Sequence, residues 1–339
     1  MVEETATVHF GYGADPIRAA ALDRRVRGNL AASLGAIAGA LASNGFTGAH
    51  ALRELADRVE AGPVRPLVFA LYTSLVDAIQ SDDDDAVARG VERLAAVDRD
   101  AAVTLRIVDL FGAELGAEAS ELYAILLDDD PDAPIEISGV GSEAFASGRA
   151  RVLDALALLD RAAPEFGAEI RVFCNEIVFA GSATGFGANS FASASSPYLW
   201  GGIQLDPARA NRIALAETLV HEASHTLLNG LVDAGELSTN PKDARYSSPL
   251  RVDARPMDGI IHATYVLGRM GMALAEIAEA GDLTEAERRD VAARRRENGI
   301  LFQQGLATIR EHGKLTPAGA TALEGCFALG SRSPENAEA

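Results

Sequence analysis

The residues best suited to chemistry lie in ETLVHEASHTLLNGLV, positions 217–232. Within it, His221-Glu222-Ala223-Ser224-His225 spells HExxH. On a helix, side chains four apart project from one face, so His221 and His225 can reach one ion. Glu222 stands about 100° further round, near enough to touch a metal-bound water. Leu215, Leu219, Val220, Leu227, Leu228, Leu231 and Val232 surround the motif on nearly all sides, which marks a buried helix. Burying two imidazoles and a carboxylate without partners costs several kcal/mol, roughly 2–7 for each neutral group. A metal satisfies all three at once. The most familiar chemistry of such a site is zinc-dependent peptide hydrolysis with Glu222 as general base.

The third ligand decides the reaction. The continuation HExxHxxGxxH is absent, because position 228 is Leu and position 231 is Leu. Glu236 falls in a turn-like stretch, Glu276 is far along the next long helix, and Asp233 follows His225 by only eight residues. His262, in SSPLRVDARPMDGIIHATYVLGRM (247–270), lies in the first two turns of the helix that should neighbour the HExxH helix. It reads either as a core histidine on an apolar face or as the ligand completing a three-histidine set. Arg251 and Arg255 stand just before that helix. They are either surface ion-pair partners or a forked cation set back from the metal. A hydrolytic site has little need of the latter. A site using 2-oxoglutarate does need one, since the far carboxylate of the oxo acid calls for a bidentate guanidinium.

HEASH, followed by Arg255-Pro256, Gly259 and His262 in RPMDGIIHATYV, resembles the HEXXH-motif proteins found beside ribosomally made, modified peptides. The resemblance covers roughly residues 140–280. It implies an iron(II)- and 2-oxoglutarate-dependent hydroxylase that oxidises the β-carbon of a residue in a precursor peptide. Carried over, His221, His225 and His262 would bind iron and Arg255 would hold 2-oxoglutarate; Arg251 is a second cofactor-binding candidate by its place in the sequence alone. Glu222 would then orient water or substrate instead of acting as base. Three histidines differ from the usual two-histidine, one-carboxylate iron face, and they serve zinc as well. Two other readings stay open: a zinc-dependent metallopeptidase, and a non-catalytic binding protein stabilised by its metal.

Elements must position these residues. The spacing of apolar residues predicts helices over 15–42 (capped by Asp15 and Pro16), 48–60, 66–79 and 86–97, the last capped by the run SDDDDA. LLDDDPDAP at 126–134 reads as a linker. Strand character marks 135–140, 168–181 and 196–205, and helical character marks 142–163. SATGFGANSFASAS, between the last two strands, reads as a hairpin loop or a substrate lid. Helices are expected from Asp206-Pro207 to about 232, from Pro256 to about 280, over 284–312 and over 316–329. The expected fold is α+β and helix-rich, a zincin-like core with a few antiparallel strands beside the HExxH helix. The expected domains are a helical region, 1–135, for peptide recognition; a metal-binding catalytic domain, 136–330; and a disordered tail, 331–339.

Composition narrows the partners. The chain has 339 residues, 48% hydrophobic, enough for a substantial core. Its net charge of -19 argues against nucleic acid and anionic membrane surfaces as partners. The two cysteines, Cys174 and Cys326, form no zinc-knuckle or disulfide spacing, and Cys174 is expected to be a buried thiol. The N-terminus shows no signal peptide and no stretch reaches the roughly 18 apolar residues of a membrane span, so a cytoplasmic location is expected.

Overall fold

The computed structural model describes residues 12–46, 48–97, 104–127, 137–182, 192–209, 211–231, 236–250, 253–280 and 282–331. In chain order the helices are α1 (Pro16–Ser43), α2 (Ala49–Ala61), α3 (Pro66–Gln80), α4 (Asp84–Ala96), α5 (Ala117–Leu127) and α6 (Ser142–Ala162). They continue with α7 (Pro164–Phe173), α8 (Arg212–Leu231), α9 (Met257–Ala278), α10 (Glu285–His312) and α11 (Pro317–Gly330). The strands are β1 (Arg106–Asp109), β2 (Ile137–Ser138), β3 (Glu176–Phe179), β4 (Gly181–Ser182), β5 (Ser193–Ala194) and β6 (Gly202–Leu205). None of the described helices is long and apolar enough to cross a membrane. The chain forms two compact units. One comprises residues 1–19, 151–170 and 210–339; the other, 20–150 and 171–209.

The second unit holds the sheet. Its order is β1-β3-β6-β5, with β2 and β4 pairing separately. The expected antiparallel arrangement is corrected: β1–β3 and β3–β6 are parallel, and among the described strands β5–β6 and β2–β4 are antiparallel. The reason lies in burial. Every residue of β3 and β6 is buried, as in strands covered on both faces. Val108, Val178, Tyr123 and Leu199 share one core cluster. Glu176, fully buried at the start of β3, is satisfied by the Arg106 guanidinium and by the Tyr123 hydroxyl at 2.8 Å. Asp83 caps α4 by accepting from Ala86 N at 2.9 Å, so the acidic run begins the helix two residues earlier than expected.

The strand expected over 168–181 is half helix. AEIRVF belongs to α7, with Pro164 in its first turn and Phe166 and Ile170 buried one turn apart. Within that stretch Glu176–Phe179 forms β3 and Gly181 opens β4. Cys174, between α7 and β3, is buried as expected, its Sγ 3.4 Å from the Glu176 carbonyl, and burial pushes its thiol up to about 12. In the same way SPYLWGGIQL yields a short 3-10 turn, Pro197–Leu199, before β6. The tail 332–339, residues 183–191 of the expected lid and most of the 126–134 linker lie outside the described residues.

The first unit holds the helices of interest. α9 packs against α8, α10 and α11. α8 begins later than expected: Pro207–Arg209 is a separate 3-10 turn, and Asn211 Oδ1 accepts from Ala214 N at 2.9 Å to start the helix. Two polar clasps hold α8. Glu217 takes hydrogen bonds from Arg294 Nη1 and Asn298 Nδ2, both at 2.6 Å, which ties α8 to α10. Ser224 Oγ accepts from Arg269 Nε at 2.9 Å, which ties α8 to α9.

Arg269 is fully buried. Its Nη1 donates to the carbonyls of Tyr12 (2.7 Å) and Gly13 (3.1 Å), and its Nη2 to Glu169 on α7. Glu169 also accepts from Asp15 N at 3.1 Å and Arg18 Nη2 at 3.4 Å. The Tyr12 hydroxyl donates to the Tyr265 carbonyl at 2.8 Å. Removing Arg269 leaves the buried Glu169 with only the longer Arg18 contact to offset its charge. Arg269→Met is therefore expected to lower the unfolding free energy by about 3–5 kcal/mol. Urea denaturation of this variant, of Glu169→Gln and of the double variant checks it, with the double loss expected below the sum of the single losses.

Candidate metal centre

Two helices bring the predicted histidines together. His221 and His225 sit one turn apart on α8, and His262 sits in the second turn of α9. His221 Nε2 and His225 Nε2 are 3.1 Å apart. His225 Nδ1 and His262 Nδ1 are 3.3 Å apart. The rings of His225 and His262 are nearly parallel, at 22° with centroids 5.6 Å apart. Those of His221 and His225 meet edge to face, at 70° and 4.8 Å. His221 Nδ1 lies 3.2 Å from the Met270 sulfur. The four side chains thus form a line: Met270, His221, His225, His262.

Glu222 is buried, with Oε1 4.0 Å from His221 Nε2. That is beyond hydrogen-bond reach yet within the span of a bridging water. Arg255 stands two residues before α9, next to its N-cap Pro256. Its backbone pairs with Tyr246 in an isolated antiparallel bridge (2.8 and 2.9 Å), and its Nε lies 2.8 Å from Asp253 Oδ2. Asp258, in the first turn of α9, accepts from Ser238 Oγ at 2.8 Å and Lys242 Nζ at 2.9 Å. These bonds pin the turn-rich segment that delivers Arg255.

The other sequence candidates stand apart. Glu236 is exposed and paired with Lys242 at 3.1 Å. Glu276 is exposed near the like charge of Glu165. Arg251 and Asp233 lie outside the described residues.

The donor set suits a divalent late metal in kind. Desolvation holds the His225 imidazole well below its ordinary value, helped by His221 and His262, and desolvation lowers His262 too. Both rings are therefore neutral at physiological pH, the state in which imidazole is a ligand. Two nitrogens bound at about 2.1 Å to one ion lie about 3.0–3.4 Å apart, and the Nε2 pair matches. The third ring is placed differently. His262 approaches the Nδ1 side of His225. Among the described residues, no three His, Cys, Asp or Glu side chains are arranged to hold one ion.

Sequence reasoning missed Met270, Ser224 and Arg269. Met270 lies eight residues after His262, on the same face of α9. Arg269, a lone charge in the apolar run TYVLGRMGMA, was a signal for a buried polar partner. The chain matches no family model and no curated protein.

The lowered imidazoles give a pH dependence. Below about pH 6.5 the unfolded chain binds protons at His225 and His262 that the folded chain does not, so folding stability is lost as pH falls through that point. The urea midpoint of metal-free protein is expected to hold between pH 8 and 7 and to drop from pH 6.5 to 5.5. The drop should be shallower in His225→Gln, measured over the same range.

Proposed function

We propose that this protein is an iron(II)- and 2-oxoglutarate-dependent hydroxylase acting on the β-carbon of a residue in a ribosomally made precursor peptide, built on a zincin-like core. The observation that carries the reading is the meeting of His262 with His225. The two motifs of the resemblance, HEASH and RPMDGIIHATYV, stand far apart in sequence, yet their histidines form one cluster. His221 and His225 would hold the iron through Nε2, and His262, whose Nδ1 faces Nδ1 of His225, would join them on turning its ring. When bound, iron with 2-oxoglutarate and O₂ supplies C–H hydroxylation, the oxo acid leaving as succinate and carbon dioxide.

Each remaining role falls to a side chain already described. Arg255 takes the far carboxylate of the oxo acid through its guanidinium fork. To do so it exchanges Asp253, an ion pair at the surface with side chains 30% and 56% exposed. Exposed pairs of this kind are worth about 0–1 kcal/mol, so a chelating dicarboxylate displaces Asp253 readily. Glu222 orients water or substrate from its buried position beside His221.

The same Glu222 position favours a second reading, a zinc metallopeptidase in which Glu222 deprotonates water. The two readings part on Arg255, which hydrolysis does not require. Anaerobic iron(II) with 2-oxoglutarate is expected to give visible absorption in the wild type. The 2-oxoglutarate concentration for half-saturation should rise at least about tenfold in Arg255→Gln and fall in Asp253→Asn. Absence of the absorption, together with no succinate formed in air with candidate peptides, overturns the hydroxylase. Zinc-dependent cleavage of a peptide library, lost in Glu222→Gln and kept in Arg255→Gln, establishes the peptidase instead.

A further inference from the structure

The histidine line ends on a sulfur. A thioether carries no hydrogen, so it only accepts. Met270 is buried, and its sulfur lies 3.2 Å from His221 Nδ1. A neutral imidazole carries one proton, and the partner of one nitrogen decides which nitrogen holds it. The contact with Met270 therefore places the His221 proton on Nδ1 and leaves Nε2 bare.

The consequence runs down the line. His225 Nε2, 3.1 Å from the bare His221 Nε2, must donate to it, so His225 carries its proton on Nε2. His225 Nδ1 is then an acceptor, and His262 Nδ1, 3.3 Å away, must donate. The ring geometry agrees. The 5.6 Å between the His225 and His262 centroids equals the nitrogen separation plus the two ring radii, so the nitrogens point at each other. Reversing the order would set the bare Nδ1 of His221 against the sulfur lone pairs. Glu222 Oε1, at 4.0 Å, is too far from His221 Nε2 to compete for a proton there.

We propose that Met270 is the positioning residue of this cluster: its sulfur fixes His221 as the Nδ1–H tautomer, and through it the order of protons on His225 and His262. Metal-ligating histidines usually donate their second nitrogen to a carboxylate or a carbonyl. A thioether is a weaker and softer acceptor. It orients His221 without raising the basicity of Nε2 as a carboxylate would. The proton order is that of the metal-free chain and rests on the contacts alone; an ion held by both Nε2 atoms displaces the His225 proton. Its bearing on an ion held by His221 Nε2 rests on the metal reading given above.

The chain has six histidines, few enough to assign. The test is ¹⁵N spectroscopy of histidine-labelled, metal-free full chain at about pH 8, above the ordinary imidazole value of about 6.5. Single His→Gln variants assign the signals. The expected pattern is Nδ1–H for His221, Nε2–H for His225 and Nδ1–H for His262. Met270→Leu conserves volume and removes the acceptor, so it should abolish the His221 preference. Met270→Gln, whose side-chain oxygen can accept, should restore it. A wild-type His221 with its proton on Nε2 overturns the proposal. So does a Met270→Leu protein whose His221 keeps Nδ1–H unchanged, because that would be packing alone. Zinc(II) then separates this inference from the metal reading. His221 bound through Nε2 with Nδ1–H retained supports both, and binding through Nδ1 overturns the role of Met270. Unchanged histidine signals overturn the metal reading, and the metal-free pattern still decides the role of Met270.

Discussion

A fully buried guanidinium sets the arrangement of the helical unit. Arg269 stands in the middle of α9 with no access to solvent. Removing that charge from water costs several kcal/mol even after relaxation, so it persists only where its donors are matched. Nε, Nη1 and Nη2 serve four groups: Ser224, the Tyr12 and Gly13 carbonyls, and Glu169. A lysine offers three donors from one point and does not span acceptors on α8, on α7 and on the segment before α1. The planar fork does, and it converts an expensive burial into a fixed register between elements far apart in sequence.

That register bears on the chemistry because of where its ends fall. Ser224 lies between Glu222 and His225, and Met270 follows Arg269 directly. Fixing Arg269 against Ser224 therefore sets how far α9 slides along α8. A slide of one residue, about 1.5 Å, would break the Met270–His221 contact and separate His262 from His225. The histidines could not provide this themselves. Neutral imidazole contacts near 3.2 Å are weak, about 1 kcal/mol net each, whereas the ionic clasp is strong and directional. Precision in the cluster is supplied from outside it.

The sequence carried the helices well and the sheet poorly. α1, α3, α9, α10 and α11 fall within a residue or two of their periodicity, because each presents a long apolar stripe between a cap and a breaker. The sheet strands are only two to four residues long, too short for any period to declare itself. AEIRVF shows the difficulty: its apolar residues fit a strand, and burial of Phe166 with Ile170 one turn later made it helix. Strand direction was also hidden, since a fully buried strand reads alike in parallel and antiparallel sheets. Of the site, HEASH was legible because both ligands sit on one helix. His262 was legible only as a rare residue at the start of a neighbouring helix. Met270 and Ser224 were invisible as partners, because a methionine on an apolar face and a serine inside a motif look ordinary until a second helix arrives.

Two arginines at α9 show how one residue type serves opposite ends. Arg269 is locked, since an exchange of partner would leave Glu169 in the interior with only the longer Arg18 contact. Arg255 pairs with Asp253 near the surface, with side chains 30% and 56% exposed. A ligand carboxylate can capture only the second kind, because its gain need exceed only a surface pair and not a buried one. The same distinction bears on Glu222. A buried carboxylate beside a histidine nitrogen is compatible with a base and with an orienting group, so HExxH alone leaves the reaction open. What bears on the choice is the more exposed cation, and it stands where the chain enters α9, seven residues before His262.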